Sequence, residues 1–286
     1  MAGRRTARDI EASEAGRSAP RHRSECPANL ALAMLARRGF RPLSSSYGPA
    51  LRLGDGLDEQ GLETLADLLG HYAFRLFLRG ALQRPDGLAP GEATRYVSPA
   101  RAEKFAAELL ELGLAEPLAE GRFRLVKPAH NFGGTLEWYV ARELGRRLGY
   151  ETAVGVKLTV PGVGGDLDVV AAADGKLAYL EVKSGPPKHL TEPEVAAFFR
   201  RLRALRPDVA LFVVDTALRL SDKVVPMLAD EIERLRPGDP PRPRRLEREI
   251  WALTPHLYVV NAKLDLVGNI GRAIAEGLRA LAPPPP

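Results

Sequence analysis

The chain has 286 residues, of which 45% are hydrophobic and 27% charged, so it can bury a core of ordinary globular size and hold two small domains. A formal net charge of +5 favours a polyanionic partner such as DNA or RNA over an acidic-protein or anion-excluding role, and a single cysteine, Cys26, excludes an intramolecular disulfide framework and any cysteine-based zinc site. The absence of an apolar run long enough to span a bilayer, and of an apolar signal core at the start, points to a cytoplasmic protein without membrane contact.

In chain order, residues 1–27 are rich in Arg, Ala, Ser and Glu with few large apolar side chains, which predicts a disordered arm whose Arg4, Arg5, Arg21 and Arg23 could touch phosphates. Residues 28–127 read as a winged-helix-like unit. A short helix from Asn29 ends at Gly39, and a Ser- and Gly-rich loop or extended segment follows. Two apolar helical stripes are separated near Gly70. A further helix is signalled by Ser98 as N-cap, Pro99 at the first helical position, Phe105, Leu109 and Leu112 on one face, and Gly113 at its end. Two short strands then flank Glu120-Gly121. In such a unit Arg101 and Lys104 on the last helix and Arg122 and Arg124 in the wing are the candidate nucleic-acid contacts. Glu103, Glu108, Glu111, Glu116 and Glu120 lie in the same region and repel phosphate, so a structural or dimerising role, with the chain as a homodimer, stands beside groove binding.

Residues 133–282 carry the chemistry. A helix from Gly133 presents Glu137, and three strands follow: AVGVKLTV, LDVVAAA and KLAYLEVK, the last two joined by an Asp174-Gly175 turn into an antiparallel hairpin. Side chains on a strand repeat every two residues, so Glu181 and Lys183 share a face and Asp168 can meet them from the neighbouring strand. Asp166 shares Asp168's strand face, but its glycine-rich lead-in suits a turn. Two carboxylates about 4 Å apart repel by about 4 kcal/mol at an effective dielectric near 20, so the cluster calls for a cation. Hard oxygen ligands suit Mg²⁺ or Mn²⁺, and Lys183 would orient or deprotonate an attacking water.

Helical Glu, strand Asp and Glu-x-Lys on the hairpin partner resemble the PD-(D/E)xK nuclease superfamily. More narrowly, GTLEWYV, DLDVV and YLEVKSG resemble the nuclease domain of the CRISPR-associated ancillary nucleases that cyclic oligoadenylates activate. The resemblance implies an α/β fold, a mixed sheet flanked by helices behind the small winged-helix-like α+β domain. It also implies metal ligation by Glu137, Asp168, Glu181 and the Val182 carbonyl, a catalytic role for Lys183 with Glu181 and Asp168, and a metal-dependent endonuclease in antiviral defence. The segment ahead of the winged helix lacks the alternating strand-helix pattern of that family's sensor domain. A catalytically silent nucleic-acid-binding or regulatory protein with the same fold is the alternative function.

Past the site, Thr191 and Glu194 form a capping box for a helix to Leu205, with Phe198, Phe199 and Leu202 against the sheet. VALFVVD reads as a buried strand. A helix starts or kinks at Pro226, and the proline-arginine segment after it reads as a mobile loop whose Arg242, Arg244 and Arg245 could hold a nucleic-acid backbone. HLYVVNAK supplies another strand, and Leu266, Ile270, Ile274 and Leu278 mark an amphipathic helix that covers the sheet.

Overall fold

The computed structural model describes residues 29–46, 53–54, 56–126, 132–158, 164–238 and 241–282. The arm of residues 1–27 with its arginines and Cys26, the linker residue His130 and the terminal prolines lie outside the described residues. Among the described residues the chain is mixed α/β: eight strands form one sheet with helices on both faces, and a two-stranded hairpin belongs to a smaller helical unit.

The sheet is built around β4 (Glu151–Leu158), β5 (Asp166–Ala173), β6 (Lys176–Lys183) and β7 (Val209–Val214). β4, β5 and β6 run antiparallel, and Asp174 and Gly175 both take positive φ (50° and 73°) in the β5–β6 turn, the backbone a tight two-residue hairpin turn requires. β7 pairs parallel to β6, which demands a crossover; α6 (Glu192–Leu205) provides it. β8 (Arg244–Glu247), β9 (Ile250–Thr254) and β10 (Leu257–Asn261) extend the sheet, β10 parallel to β7 and the other two antiparallel.

One face is covered by α5 (Gly133–Leu148) and α8 (Leu266–Leu281), which pack Leu136, Val140, Leu144, Ile270 and Ile274 onto Val169, Ala171, Leu180 and Val213. The other face carries α1 (Leu30–Arg37), α6 and α7 (Val224–Leu235) over Val156, Val170, Tyr179 and Phe212. Each core side chain of this kind contributes about 1.5–3 kcal/mol relative to exposure.

The 28–127 unit differs in extent from the sequence reading. α1 and the edge strand β1 (Pro42–Ser46) sit on the large sheet: Asn29 caps α1 and donates to the Thr152 carbonyl at 3.1 Å, the Leu30 amide meets Glu151 at 2.7 Å, and β1 pairs with β4. The helical unit begins with α2 (Glu59–Gly70) and continues through α3 (Tyr72–Leu82), α4 (Pro99–Glu111), β2 (Ala115–Pro117) and β3 (Phe123–Leu125). Its core is aromatic, with Phe105 5.2 Å from Phe74 and 5.6 Å from Phe77, centroid to centroid. Gly80 is required there, since a Cβ would lie 1.7 Å from the Ala93 carbonyl oxygen.

The proline-arginine segment is also more ordered than a mobile loop at its C-terminal end. Arg244 and Arg245 form β8, Arg244 pairing with Glu276 of α8 at 2.9 Å while Arg245 lies 3.3 Å from Glu249 and over the Trp251 ring. Charged side chains on an edge strand block further pairing, a role that these two arginines can serve although their side chains stay 65% and 52% exposed.

Candidate active site

The site forms where β5 and β6 part. Their register runs to Val169 opposite Leu180, beyond which β5 stays with β4 and β6 with β7. At this fork the Val182 amide donates to Asp168 Oδ2 at 2.7 Å instead of continuing the ladder. Leu167 lies in the core under α1 and α6 and Val169 in the core under α5, so the regular alternation of β5 breaks at Asp168. Asp168 therefore stands between the two faces of the sheet.

Glu181 and Lys183 point with Tyr179 toward α6. Glu181 is 2% exposed, and both its oxygens are engaged: Oε1 lies 3.0 Å from Lys183 Nζ, while Oε2 accepts from the Tyr179 hydroxyl and from Arg201 Nη1, the latter at 2.6 Å. Lys183 also lies 3.4 Å from Glu194, whose other oxygen closes the capping box by accepting from the Thr191 amide at 2.9 Å. The start of α6 and the lysine are thus tied together. Arg201 reaches the fork because Gly165 leaves room: a Cβ there would stand 2.6 Å from the guanidinium, and Arg201 Nε donates to the Gly164 carbonyl at 3.3 Å.

Glu137 enters from α5, half-buried, on the opposite side from α6. Burial, then the charges of Glu181 and Asp166, push its carboxyl up to about 7. Burial, then Glu181 and Glu137, push Asp168 up to about 8 against the opposing Val182 amide and Lys183. For Lys183 burial favours the neutral amine, but Glu181, Asp168 and Glu194 outweigh it and hold the group above its ordinary value. The lysine is an ammonium in this arrangement, suited to orient and donate rather than to deprotonate a water. Asp166 is the first residue of β5, exposed and 3.9 Å from Lys157 on the facing strand, not in a turn.

The hard oxygens of Glu137, Asp168, Glu181 and the Val182 carbonyl have the donor chemistry of a Mg²⁺ or Mn²⁺ site, and the Glu137 and Asp168 carboxyls are raised by burial first and by neighbouring carboxylates second, both of which a bound cation would offset. Among the described residues, no three His, Cys, Asp or Glu side chains are gathered into a ready-made metal cage. Glu181 explains this: it is turned to its cationic partners on the α6 side while Glu137 approaches from the α5 side.

No protein-family model and no curated protein matches the chain. The chain is similar to solved structures that include the following two. Protein VC1899 from Vibrio cholerae is 14% identical with a TM-score of 0.47, over 86% of this chain and 61% of that one. Can2 from Sulfobacillus thermosulfidooxidans, solved in complex with cyclic tetra-adenylate, is 18% identical with a TM-score of 0.43, over 85% and 60%. The chain thus spans about three-fifths of the length of these structures. Similarity of this degree leaves the chemistry to the side chains themselves.

Tyr179 and Arg201 are the site residues that the sequence reading missed. Tyr179 shares the face of Glu181 by strand period, and Arg201 interrupts the apolar stripe of α6 formed by Val195, Phe198 and Leu205, so both carried a signal. A second clamp comes from α3. Arg75, 1% exposed, meets Asp215 at 2.9 Å and donates to the Leu69 carbonyl at 2.6 Å; Asp215, whose amide donates to the Lys183 carbonyl at 2.8 Å, follows β7. Arg79 donates to the carbonyl of Ser184, one residue past Lys183. The helical unit and the lysine strand are therefore mechanically joined.

Arg101, Lys104, Arg122 and Arg124 sit on α4 and the hairpin with different degrees of freedom. Arg101 lies over the Phe105 ring with its head exposed, and Lys104 is exposed. Arg122 donates to the Gly87 carbonyl at 2.7 Å, and Arg124 forms an ion pair with Glu116 across the hairpin.

Proposed function

We propose that this chain is a metal-dependent endonuclease that hydrolyses phosphodiester bonds of DNA or RNA in the cytoplasm, with Mg²⁺ or Mn²⁺ as cofactor. The observation that carries the reading is the fork: Asp168 and Glu137 are held there with raised pKa values beside Glu181 and an ammonium Lys183. Glu137, Asp168, Glu181 and the Val182 carbonyl would hold the metal. When bound, a divalent cation supplies Lewis-acid polarisation of the phosphate and a more acidic water.

The chain's own residues account for the rest. Lys183 Nζ, fixed between Glu181 and Glu194, is placed to donate to the attacking water or to a phosphate oxygen as charge builds. Arg201 neutralises Glu181 and fixes its rotamer, and Tyr179 stays protonated because burial and the Glu181 and Asp168 charges oppose its ionisation. The unit of α2–α4 with its β2–β3 hairpin is read as winged-helix-like, with Arg101 and Lys104 contacting the nucleic-acid backbone and Arg122 and Arg124 adding charge at the wing. The resemblance of the motifs around Glu137, Asp168 and Glu181 to CRISPR-associated ancillary nucleases supports a role in CRISPR-linked antiviral defence.

The second reading, a catalytically silent nucleic-acid-binding protein, draws on one observation: both Glu181 oxygens already have protein partners. Incubating the purified chain with labelled single- and double-stranded DNA and RNA, with Mg²⁺, Mn²⁺ or EDTA, separates the two. Cleavage that requires metal and is lost in Asp168→Ala supports the nuclease; binding without cleavage in either metal supports the silent protein.

A further inference from the structure

At the opposite end of the sheet from the fork lies a groove of about 790 Å³ between the C-terminal ends of α6 and α7 and the starts of β7 and β10. Ala210 at the start of β7 lines it, whereas Lys183 pairs with Val214 at the strand's other end, four residues or about 13 Å away. Its walls are apolar, from Leu202 on α6, Ile232 and Leu235 on α7 and Leu257 on β10. Arg203, Arg206, Arg236 and His256 line the same groove, which no carboxylate lines. It continues past Arg236 into a second depression of about 530 Å³ bearing Arg242.

The state of these arginines sets them apart. Most arginines around the sheet are paired, as Arg38 is with Asp208, Arg244 with Glu276 and Arg147 with Glu143. Among the described residues, Arg203, Arg206, Arg236 and Arg242 have no side-chain ion pair or hydrogen bond, and all four are exposed. Basic residues near helix C-termini also complement the helix dipole, which is the simplest alternative role. Two helix ends supply only about half a negative charge each, against four guanidinium groups, so most of the positive charge is left uncompensated. Volume, apolar walls and convergent cations match a pocket for a small ligand rather than a flat track for duplex backbone. Guanidinium forks fit phosphate oxygens, and the apolar walls fit a flat ring.

We propose that the groove between α6 and α7 binds a nucleotide-sized organic phosphate, its ring against Leu202, Ile232, Leu235 and Leu257 and its phosphates on Arg203, Arg206 and Arg236. This is a binding site separate from the fork and does not depend on the nuclease reading.

Titration of the full chain in EDTA with a fluorescent N-methylanthraniloyl derivative of ATP tests it, with pyrophosphate and a short single-stranded oligonucleotide as competitors. Saturable binding is expected, weakened at least tenfold in Arg203→Ala/Arg236→Ala and unchanged in Lys183→Ala. Pyrophosphate, lacking the ring, should compete at least tenfold less well than ATP. The two arginines are exposed, so the double variant should keep the wild-type circular dichroism and melting temperature. Absent saturable binding, equal binding by the double variant, equal competition by pyrophosphate, or displacement by the oligonucleotide but not by ATP would each overturn the proposal.

Discussion

Arg201 Nη1 lies 2.6 Å from Glu181 Oε2 and, with Lys183 at 3.0 Å from the other oxygen, neutralises the carboxylate. Arg201→Ala leaves a charge that is 2% exposed with one cationic partner fewer. Breaking a buried pair costs about 3–5 kcal/mol, and the lower end is expected because Lys183 still faces Glu181. Urea unfolding should show the loss as a lower midpoint at unchanged slope. An unchanged midpoint would mean that Arg201 does not hold Glu181.

The raised carboxyls at the fork give the metal-free protein a specific pH dependence. Asp168 and Glu137 are protonated in the folded state up to about 8 and about 7, but ionise in the unfolded chain at their ordinary values of 3.8 and 4.5. Between those limits the folded state binds more protons, so their contribution to stability is fully present below about pH 4 and is lost as pH rises to about 8. In EDTA, melting temperature should fall from pH 5 to pH 8 at this site, and Asp168→Asn should flatten the fall. Millimolar Mn²⁺ should raise the melting temperature of the wild type at pH 8 and leave Asp168→Ala unmoved. A wild type insensitive to both pH and Mn²⁺ would remove the case for a metal site.

Arg75 and Asp215 are 1% and 0% exposed; both Arg75 contacts fall on Asp215 Oδ1, and the buried Oδ2 has no hydrogen-bond partner. Arg75→Met should therefore destabilise by about 3–5 kcal/mol, while Arg75→Met with Asp215→Leu should recover much of that loss because no buried charge remains unpaired. A thermodynamic cycle on the two changes measures the coupling directly. If the double variant is stable but cleaves poorly, the clamp positions the Lys183 strand; full activity would make it purely structural.

The four basic residues of the helical unit should not contribute equally to nucleic-acid binding. Arg101 and Lys104 have exposed heads, whereas Arg122 and Arg124 are engaged locally. Arg101→Ala/Lys104→Ala should reduce the slope of log affinity against log salt by about 1 to 2, and Arg122→Ala/Arg124→Ala by less. Unchanged affinity and slope in both double variants would assign the unit to packing.

Much of this fold was legible from local pattern, because the β5–β6 hairpin, the buried β7, the Thr191 capping box and α8 each follow from short-range chemistry. What was missed depends on long-range pairing. β1 became a strand because β4 offered an edge, and β8 became one because Arg244 and Arg245 found Glu276, Glu249 and Trp251. α1 reads as the start of a separate unit until Asn29 and Leu30 meet Thr152 and Glu151, more than a hundred residues away. At the site, Asp168, Glu181 and Lys183 were visible from strand period. The break in alternation at Asp168, where Leu167 and Val169 fall in the cores on opposite faces of the sheet, was not encoded in any local motif.

The most direct test is Lys183→Ala, assayed for metal-dependent cleavage and, separately, for nucleic-acid binding. The ammonium group is fixed by Glu181 at 3.0 Å and Glu194 at 3.4 Å and cannot itself ligate a hard cation, so its loss should act on turnover. Cleavage should fall about 10²- to 10⁴-fold, with nucleic-acid affinity and Mn²⁺ stabilisation largely retained. Wild-type cleavage by the Lys183→Ala protein would contradict the account.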